Sequence, residues 1–242
     1  MRADGRRPDE LRPVRLETGW LDHAEGSCLA SCGGTRVLCA ASVEGRVPPF
    51  LAGTGRGWVT AEYALLPRST HTRTPRETAR PRARSQEIKR FIGRALRAVC
   101  DLGALGERQV IVDCDVLQAD GGTRTLALTG GMVALRLALD RLAARGETER
   151  DPVIEYVAAT SGGLVNGELL LDLAYEEDAR AEMDLNLART ESGRIVEIQA
   201  TAEGLPFSYE ELTRLHDLAG TAIAGLIRLQ QAAVAEARAR AR

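Results

Sequence analysis

Apolar and polar positions alternate through the first third of the chain. Leu16–Trp20, Ser27–Ser31 and Thr35–Val43 carry the period-two pattern of half-buried strands, and Gly33-Gly34 predicts a tight hairpin between the last two. An antiparallel arrangement follows for these three, and Trp58–Tyr63 continues the strand pattern as far as Leu65-Leu66-Pro67. The period then disappears. Arg68–Arg76 has no apolar spacing and is expected to be an exposed loop. From Ser85 onward, Ile88, Phe91, Ile92, Ala95, Leu96 and Val99 recur at helical spacing, with Gly103 and Gly106 beyond the end. That pattern puts Arg84 at a helix N-terminus.

Gln109–Leu117 reads as a further strand, followed by a Gly121-Gly122 turn and a second amphipathic helix from about Leu126 to Ala144. Arg124 thereby falls near a second helix N-terminus. Tyr156–Thr160 and Glu168–Ala174 form a hairpin around Asn166-Gly167, and Met183–Ala188 pairs with Ile195–Ala202 around Ser192-Gly193. Ser208 and Glu211 have the spacing of a capping box. Leu212, Leu215, Leu218, Ile223, Leu226 and Leu229 then make an amphipathic C-terminal helix, whose Ala-Arg repeat from about 236 is expected to fray. With no internal repeat and no low-complexity linker, residues 1–242 read as a single domain.

A chain of 242 residues, 44% hydrophobic, can bury a sizeable core. Its apolar runs, such as Leu169–Leu171, fall far short of the roughly 18 residues of a membrane span, and the N-terminus lacks the apolar centre of a secretory signal. A cytoplasmic protein with no membrane partner is expected. Cys28, Cys32, Cys39, Cys100 and Cys114 include no Cys-x-x-Cys pair and sit in apolar surroundings, which favours buried free thiols over metal ligation.

The net charge of −2 does not announce a nucleic-acid partner, but its distribution is uneven. Between Arg68 and Arg97 stand nine arginines and Lys89 against Glu77 and Glu87, whereas Asp172–Glu191 is strongly acidic.

A glycine turn leading into a helix N-terminus exposes backbone N–H groups and a partial positive charge, so Gly122, Thr123 and Arg124 suit an anion. Alone, the same residues suit a plain turn equally well. Arg84 at the other helix start adds weight, because two arginines at two helix starts can share one phosphate. The loop arginines Arg68, Arg73 and Arg76 fit either a track for RNA phosphates or a solvated surface. Asp178 and Asp184 offer the hard oxygen ligands that Mg²⁺ takes, commonly one or two carboxylates alongside phosphate and water. Asp113, Asp115 and Asp172 alternate with apolar neighbours and read as structural. His23, His71 and His216 are scattered, with no nucleophile beside them, so histidine acid–base chemistry is not indicated.

Taken together, Arg6–Pro13, His23–Ser27, Gly57–Tyr63, Leu66–Arg73, Asp113–Thr125 and Ala202–Gly204 resemble, in order, the motifs of the bacterial ribonuclease PH family over nearly the whole chain. The resemblance implies an α/β (α+β) fold of the ribosomal protein S5 domain 2-like kind, with mixed sheets packed on helices. It implies a homohexamer built as a trimer of dimers, and phosphate-dependent 3′-to-5′ trimming of RNA with a single-stranded 3′ end, notably transfer RNA precursors. By position, Arg84, Gly122, Thr123 and Arg124 would hold inorganic phosphate as co-substrate, and Asp178 and Asp184 the Mg²⁺. Asp178, Asp184 and Arg124 would form the catalytic set, and Arg68, Arg73 and Arg76 would contact RNA. The chain departs from the family in a shorter loop before Arg84, with Pro81 and Ala83 where glycines are usual and with Arg82 as a rival for the role of Arg84. Two other readings stay open: a non-catalytic RNA-binding ring subunit of an exosome-like assembly, and the catalytic ring subunit of an archaeal exosome.

Overall fold

The computed structural model describes residues 2–76 and 82–240. Residues Arg80 and Pro81 of the short loop therefore lie outside the described residues. Strands β1 (Val14–Thr18), β2 (Gly26–Cys32), β3 (Thr35–Glu44), β4 (Trp58–Leu65) and β5 (Gln109–Gln118) form one sheet in the order β1-β2-β3-β5-β4. The first three pair antiparallel, as their alternation requires. β4 instead pairs parallel with β5, which makes the sheet mixed. Parallel neighbours need a crossover, and helix α1 (Ala83–Ala98) supplies it. β1 starts and ends earlier than its alternation suggests, because Gly19 turns the chain at φ 79°. A one-turn helix, α2 (Leu102–Leu105), has too few residues for a periodic signal. Asp101 caps it by accepting from the N–H groups of Gly103 and Ala104.

The second sheet has the order β7-β6-β8-β9, from β6 (Val157–Val165), β7 (Glu168–Leu171), β8 (Met183–Thr190) and β9 (Ile195–Ala202). Both anticipated hairpins are present. Asn166 and Gly167 each have positive φ, 51° and 75°, the two-residue turn whose twist matches its strands. Between β7 and β8 lies the short helix α4 (Tyr175–Asp178).

Helix α3 (Thr123–Ala144) lies between the two sheets and differs from its expected amphipathic form: every residue from Thr125 to Arg136 is buried. A helix covered on both sides has no polar face to show. Contact is so close that a Cβ on Gly130 would stand 2.7 Å from the Ala30 side chain. One apolar cluster runs from β2, β3 and β5 through α1 and α3 to Val157, Ala159 and Ala188 of the second sheet. Helix α5 (Tyr209–Arg240) closes the second sheet with Leu215, Ala219, Ile223, Leu226 and Ile227. By length and mean hydropathy it is the one helix among the described residues that could cross a membrane, but this apolar stripe is packed against the protein. Its start carries the expected box, Ser208 N donating to Glu211 Oε2 at 2.6 Å and Glu211 N to Ser208 Oγ at 3.2 Å. Beyond 236, where fraying is expected, the described residues are still helical. The helix continues to Arg240 because Arg238 reaches Asp140 with two hydrogen bonds of 2.8 Å.

All five cysteines are free and buried, and burial pushes Cys28, Cys32 and Cys100 up to about 12, which leaves them as unreactive packing residues.

The N-terminal arm is fastened by a buried ion pair. Arg12 donates from Nε and Nη2 to the two oxygens of Asp172 at 2.8 and 2.6 Å, and its backbone N–H adds a third bond at 2.9 Å. Burial alone would raise the Asp172 carboxyl, but these bonds and the Arg12 charge hold it below the ordinary carboxylate value. Asp172 also has φ 50°, a conformation that asparagine tolerates. Asp172→Asn should therefore lose charge without new backbone strain and destabilise the fold by about 3–5 kcal/mol, read by denaturant unfolding. A depressed native pKa gives stability that is complete above the unfolded value and lost as pH falls through the native one. The gap between wild type and variant should accordingly be full above about pH 4 and shrink below it.

Candidate active site

The Gly121-Gly122 turn begins the site. Both glycines have positive φ, 76° and 64°, and a Cβ on Gly121 would stand 2.3 Å from the Leu173 carbonyl oxygen. Only glycine fits there. The turn is tied from behind. Arg12 Nη1 donates to the Asp120 carbonyl, and Thr35 Oγ1 donates to the Gly121 carbonyl at 2.7 Å while accepting from Asp120 N at 2.9 Å. The first N–H bonded along α3 is that of Leu126, to the Gly122 carbonyl at 3.0 Å. The N–H groups of Thr123, Arg124 and Thr125 precede it and form the positive end of the helix.

Arg124 is held by one nitrogen. Its Nη1 donates to Glu87 Oε1 of α1 at 2.8 Å and to Gln199 Oε1 of β9 at 2.7 Å. Arg84, the second residue of α1, is exposed at the same place. Tyr63 of β4 feels the charge of both, and its hydroxyl is 2.8 Å from Thr123 Oγ1. Burial raises the Tyr63 phenol, opposed by the Thr123 hydrogen bond and by the charges of Arg84 and Arg124. The four residues read as a phosphate site are thus neighbours.

The acidic side comes from the second sheet. Asp184, in β8, is half-buried, and among the described residues its Oδ1 is enclosed without a hydrogen-bond partner, while its own backbone and Thr201 bond to the carboxyl. Burial and the charge of Asp178 hold its carboxyl above the ordinary range, against the pull of Arg124. Asp178 and Arg124 are therefore both near enough to act on Asp184. Asp178 ends α4, which is anchored through the preceding residue: Glu177 takes bonds from Arg2 Nε and Nη2 at 2.8 and 2.7 Å and from Ala174 N at 2.9 Å. Two carboxylates, one with an unpartnered buried oxygen, suit a divalent cation that keeps water and phosphate as further ligands. No larger group of His, Cys, Asp and Glu with metal spacing occurs among the described residues.

The loop arginines divide. Arg76 is near enough to act on Asp115, which lines a hollow of about 210 Å³ with Tyr63, Ser85, Lys89 and Asp113. Arg68 instead borders a groove of about 1290 Å³ with Gln118, Tyr175 and Arg180, where it donates to the His71 carbonyl at 2.7 Å. Arg73 is exposed on the same loop. Asp113 and Asp115, read as structural, prove to be half-buried wall residues with raised pKa values, Asp113 by burial and then by Asp115 and Glu62. Asp172 is structural, as its alternation suggests.

Sequence reasoning passed over Arg2, Arg12, Tyr63, Glu87, Glu177 and Gln199. For Glu87 a signal existed, since it stands one helical turn after Arg84. Gln199 has none, because its role depends on where β9 lies.

The chain is similar to known proteins over most of its length. The model of the 3′ exoribonuclease family, domain 1, matches residues 10–139, and that of domain 2 matches residues 155–222. Ribonuclease PH of Moorella thermoacetica is 55% identical over 233 residues, 96% of this chain and 93% of the relative. Among solved structures, rice Rrp46 superposes with TM-score 0.78 at 20% identity, covering 96% of this chain and 100% of that one. The Archaeoglobus fulgidus exosome with RNA bound to the active site gives TM-score 0.81 at 23% identity, covering 93% and 91%. At those identities the likeness concerns the fold. With both family domains matched in order and a curated relative at more than half identity, the chain belongs to the ribonuclease PH family of phosphate-dependent 3′-to-5′ exoribonucleases.

Proposed function

We propose that the pocket between the starts of α1 and α3 binds inorganic phosphate and directs it at the last phosphodiester of an RNA 3′ end. The observation that carries this reading is the meeting of Arg84 and Arg124 at Tyr63, whose hydroxyl is bonded to Thr123 at the α3 N-terminus, with Arg124 also near enough to act on the half-buried Asp184 carboxylate. An oxygen of the phosphate forms the new bond to the terminal phosphorus, and the 3′ oxygen of the penultimate nucleotide leaves and takes up a proton. A nucleoside 5′-diphosphate and an RNA one nucleotide shorter result. The nucleophile is already anionic near neutral pH, so the site must chiefly overcome repulsion between two anions and hold them in line.

Each group has a task in that process. The N–H groups at the start of α3 and the guanidinium of Arg84 hold the phosphate, and Arg124 presents its remaining nitrogens while Glu87 and Gln199 fix Nη1. Asp178 and Asp184 would hold Mg²⁺, which when bound neutralises charge on the reacting phosphates. Arg68, Arg73 and Arg76 take the RNA backbone as it approaches, a contact that weakens with salt. Broken and formed linkages are alike in kind, so excess nucleoside diphosphate reverses the reaction and extends the RNA.

Transfer RNA precursors are the substrate we assign, and a homohexamer, a trimer of dimers, is the assembly. We place the enzyme in the cytoplasm and treat 1–242 as a single domain, a reading supported by the packing of α3 on both sheets. The alternative of a non-catalytic ring subunit is disfavoured by the retention of Arg124, Asp178 and Asp184 in one place.

With RNA, Mg²⁺ and phosphate, the purified protein should release nucleoside diphosphates, and Asp184→Asn should cut that release by at least roughly a hundredfold with the melting temperature preserved. Monophosphate products formed without phosphate would overturn the mechanism. The short loop yields a second prediction. Arg84→Ala should raise the phosphate concentration for half-maximal rate by about tenfold or more, and Arg82→Ala much less. Equal small effects would show that the arginine register is wrong.

A further inference from the structure

Thr123 is the first residue of α3, at the mouth of the phosphate pocket, and its hydroxyl has one proton and two lone pairs. Toward an anion only the proton is useful. Left free to rotate, the hydroxyl would present its lone pairs to the phosphate for part of the time. The Tyr63 hydroxyl, 2.8 Å from Thr123 Oγ1, removes that freedom if it is the donor.

The positions alone allow either hydroxyl to donate, and the surroundings favour Tyr63 as donor while its phenol is neutral. The Tyr63 ring is 6% exposed, fixed in β4 beneath the pocket. The charged groups acting on its hydroxyl from the pocket side are Arg84 and Arg124, and a guanidinium donates but cannot accept. Thr123 Oγ1 is therefore the acceptor on that side. A phenol is also a stronger acid than an aliphatic alcohol and donates the better bond, and burial keeps this one protonated across the working pH range.

We propose that Tyr63 is a positioning residue of the phosphate pocket: its hydroxyl donates to Thr123 Oγ1 and so turns the Thr123 proton toward bound inorganic phosphate. The inference rests on the reading of Arg84, Gly122, Thr123 and Arg124 as the phosphate site.

Tyr63→Phe removes one oxygen and keeps the ring. The concentration of inorganic phosphate giving half-maximal release of nucleoside diphosphate should rise about tenfold, the loss of one well-placed hydrogen bond. Half-saturation by RNA should stay as in the wild type, and the maximal rate at saturating phosphate should fall far less than the phosphate requirement rises. Thr123→Val should reproduce the rise, Thr123→Ser should not, and Tyr63→Phe combined with Thr123→Val should be no worse than Thr123→Val alone. A wild-type phosphate requirement in Tyr63→Phe, or additive effects in the double variant, would overturn the proposal. Arg124→Ala separates the two levels. If it raises the phosphate requirement while Tyr63→Phe does not, the relay fails and the pocket stands; if neither does, the pocket reading itself fails. Phosphate titration calorimetry below the melting point of each variant gives the same comparison should Tyr63→Phe prove less stable.

Discussion

The bidentate grip of Arg12 on Asp172 is where three segments of the chain become one object. The N-terminal arm brings Arg12, the end of β7 brings Asp172, and Arg12 donates from Nη1 to the Asp120 carbonyl and a second time from Nη2 to the Gly121 carbonyl. Taking two charges out of water is costly, and such a pair is not by itself a source of stability. What it contributes is position. By fixing the 120–122 turn from behind, it aims the first turn of α3 outward. Because Asp172 precedes α4 on the same corner, the pair also sets where Asp178 can stand. Arg2 reinforces the arrangement, donating to the Leu171 and Asp172 carbonyls at 2.8 and 2.9 Å as well as to Glu177.

Local features of this architecture were readable along the chain and distant ones were not. The Gly121-Gly122 turn, the hairpin at Asn166-Gly167 and the Ser208–Glu211 box each depend on residues a few positions apart, so spacing and turn chemistry were enough. The partners of Arg124 lie 37 and 75 positions away, and Arg12 is 160 from Asp172. No periodicity encodes such separations. Helix α3 misled for a different reason: its sequence was read as one-sided, although two sheets cover it. The Ala-Arg tail likewise looked free because Asp140, its partner, stands on another helix. The places of Arg84 and Arg124 at helix starts and of Asp184 in a strand were legible because turn, helix start and alternation each narrow the possibilities, whereas Tyr63 looked like any strand aromatic.

Electrostatically the site is a boundary between two halves of opposite sign. Helix α1 brings Arg84, β8 and α4 bring Asp184 and Asp178, and Arg124 of α3 is near enough to act on Asp184. Asp184 feels both sides, raised by burial and by Asp178 and lowered by Arg124. Such a boundary suits two anionic reactants better than a uniformly basic pocket, which would hold them without distinguishing attacking from leaving oxygen. The net charge of −2 conceals this, since charge of both signs is concentrated and then cancels in the sum.

Helix α3 is both the centre of the core and the floor of the pocket. In many enzymes the reactive loops can be altered while the scaffold stays the same. Here the element to which we assign the anion continues, without a break, into a fully buried stretch, with Gly130 against Ala30 only two turns further on. A repacked core would tilt the floor, and a reshaped floor would strain the core. Adaptation of this enzyme to new substrates must therefore come from the arginine loop and the neighbouring surfaces, leaving the cradle itself as the part least free to change.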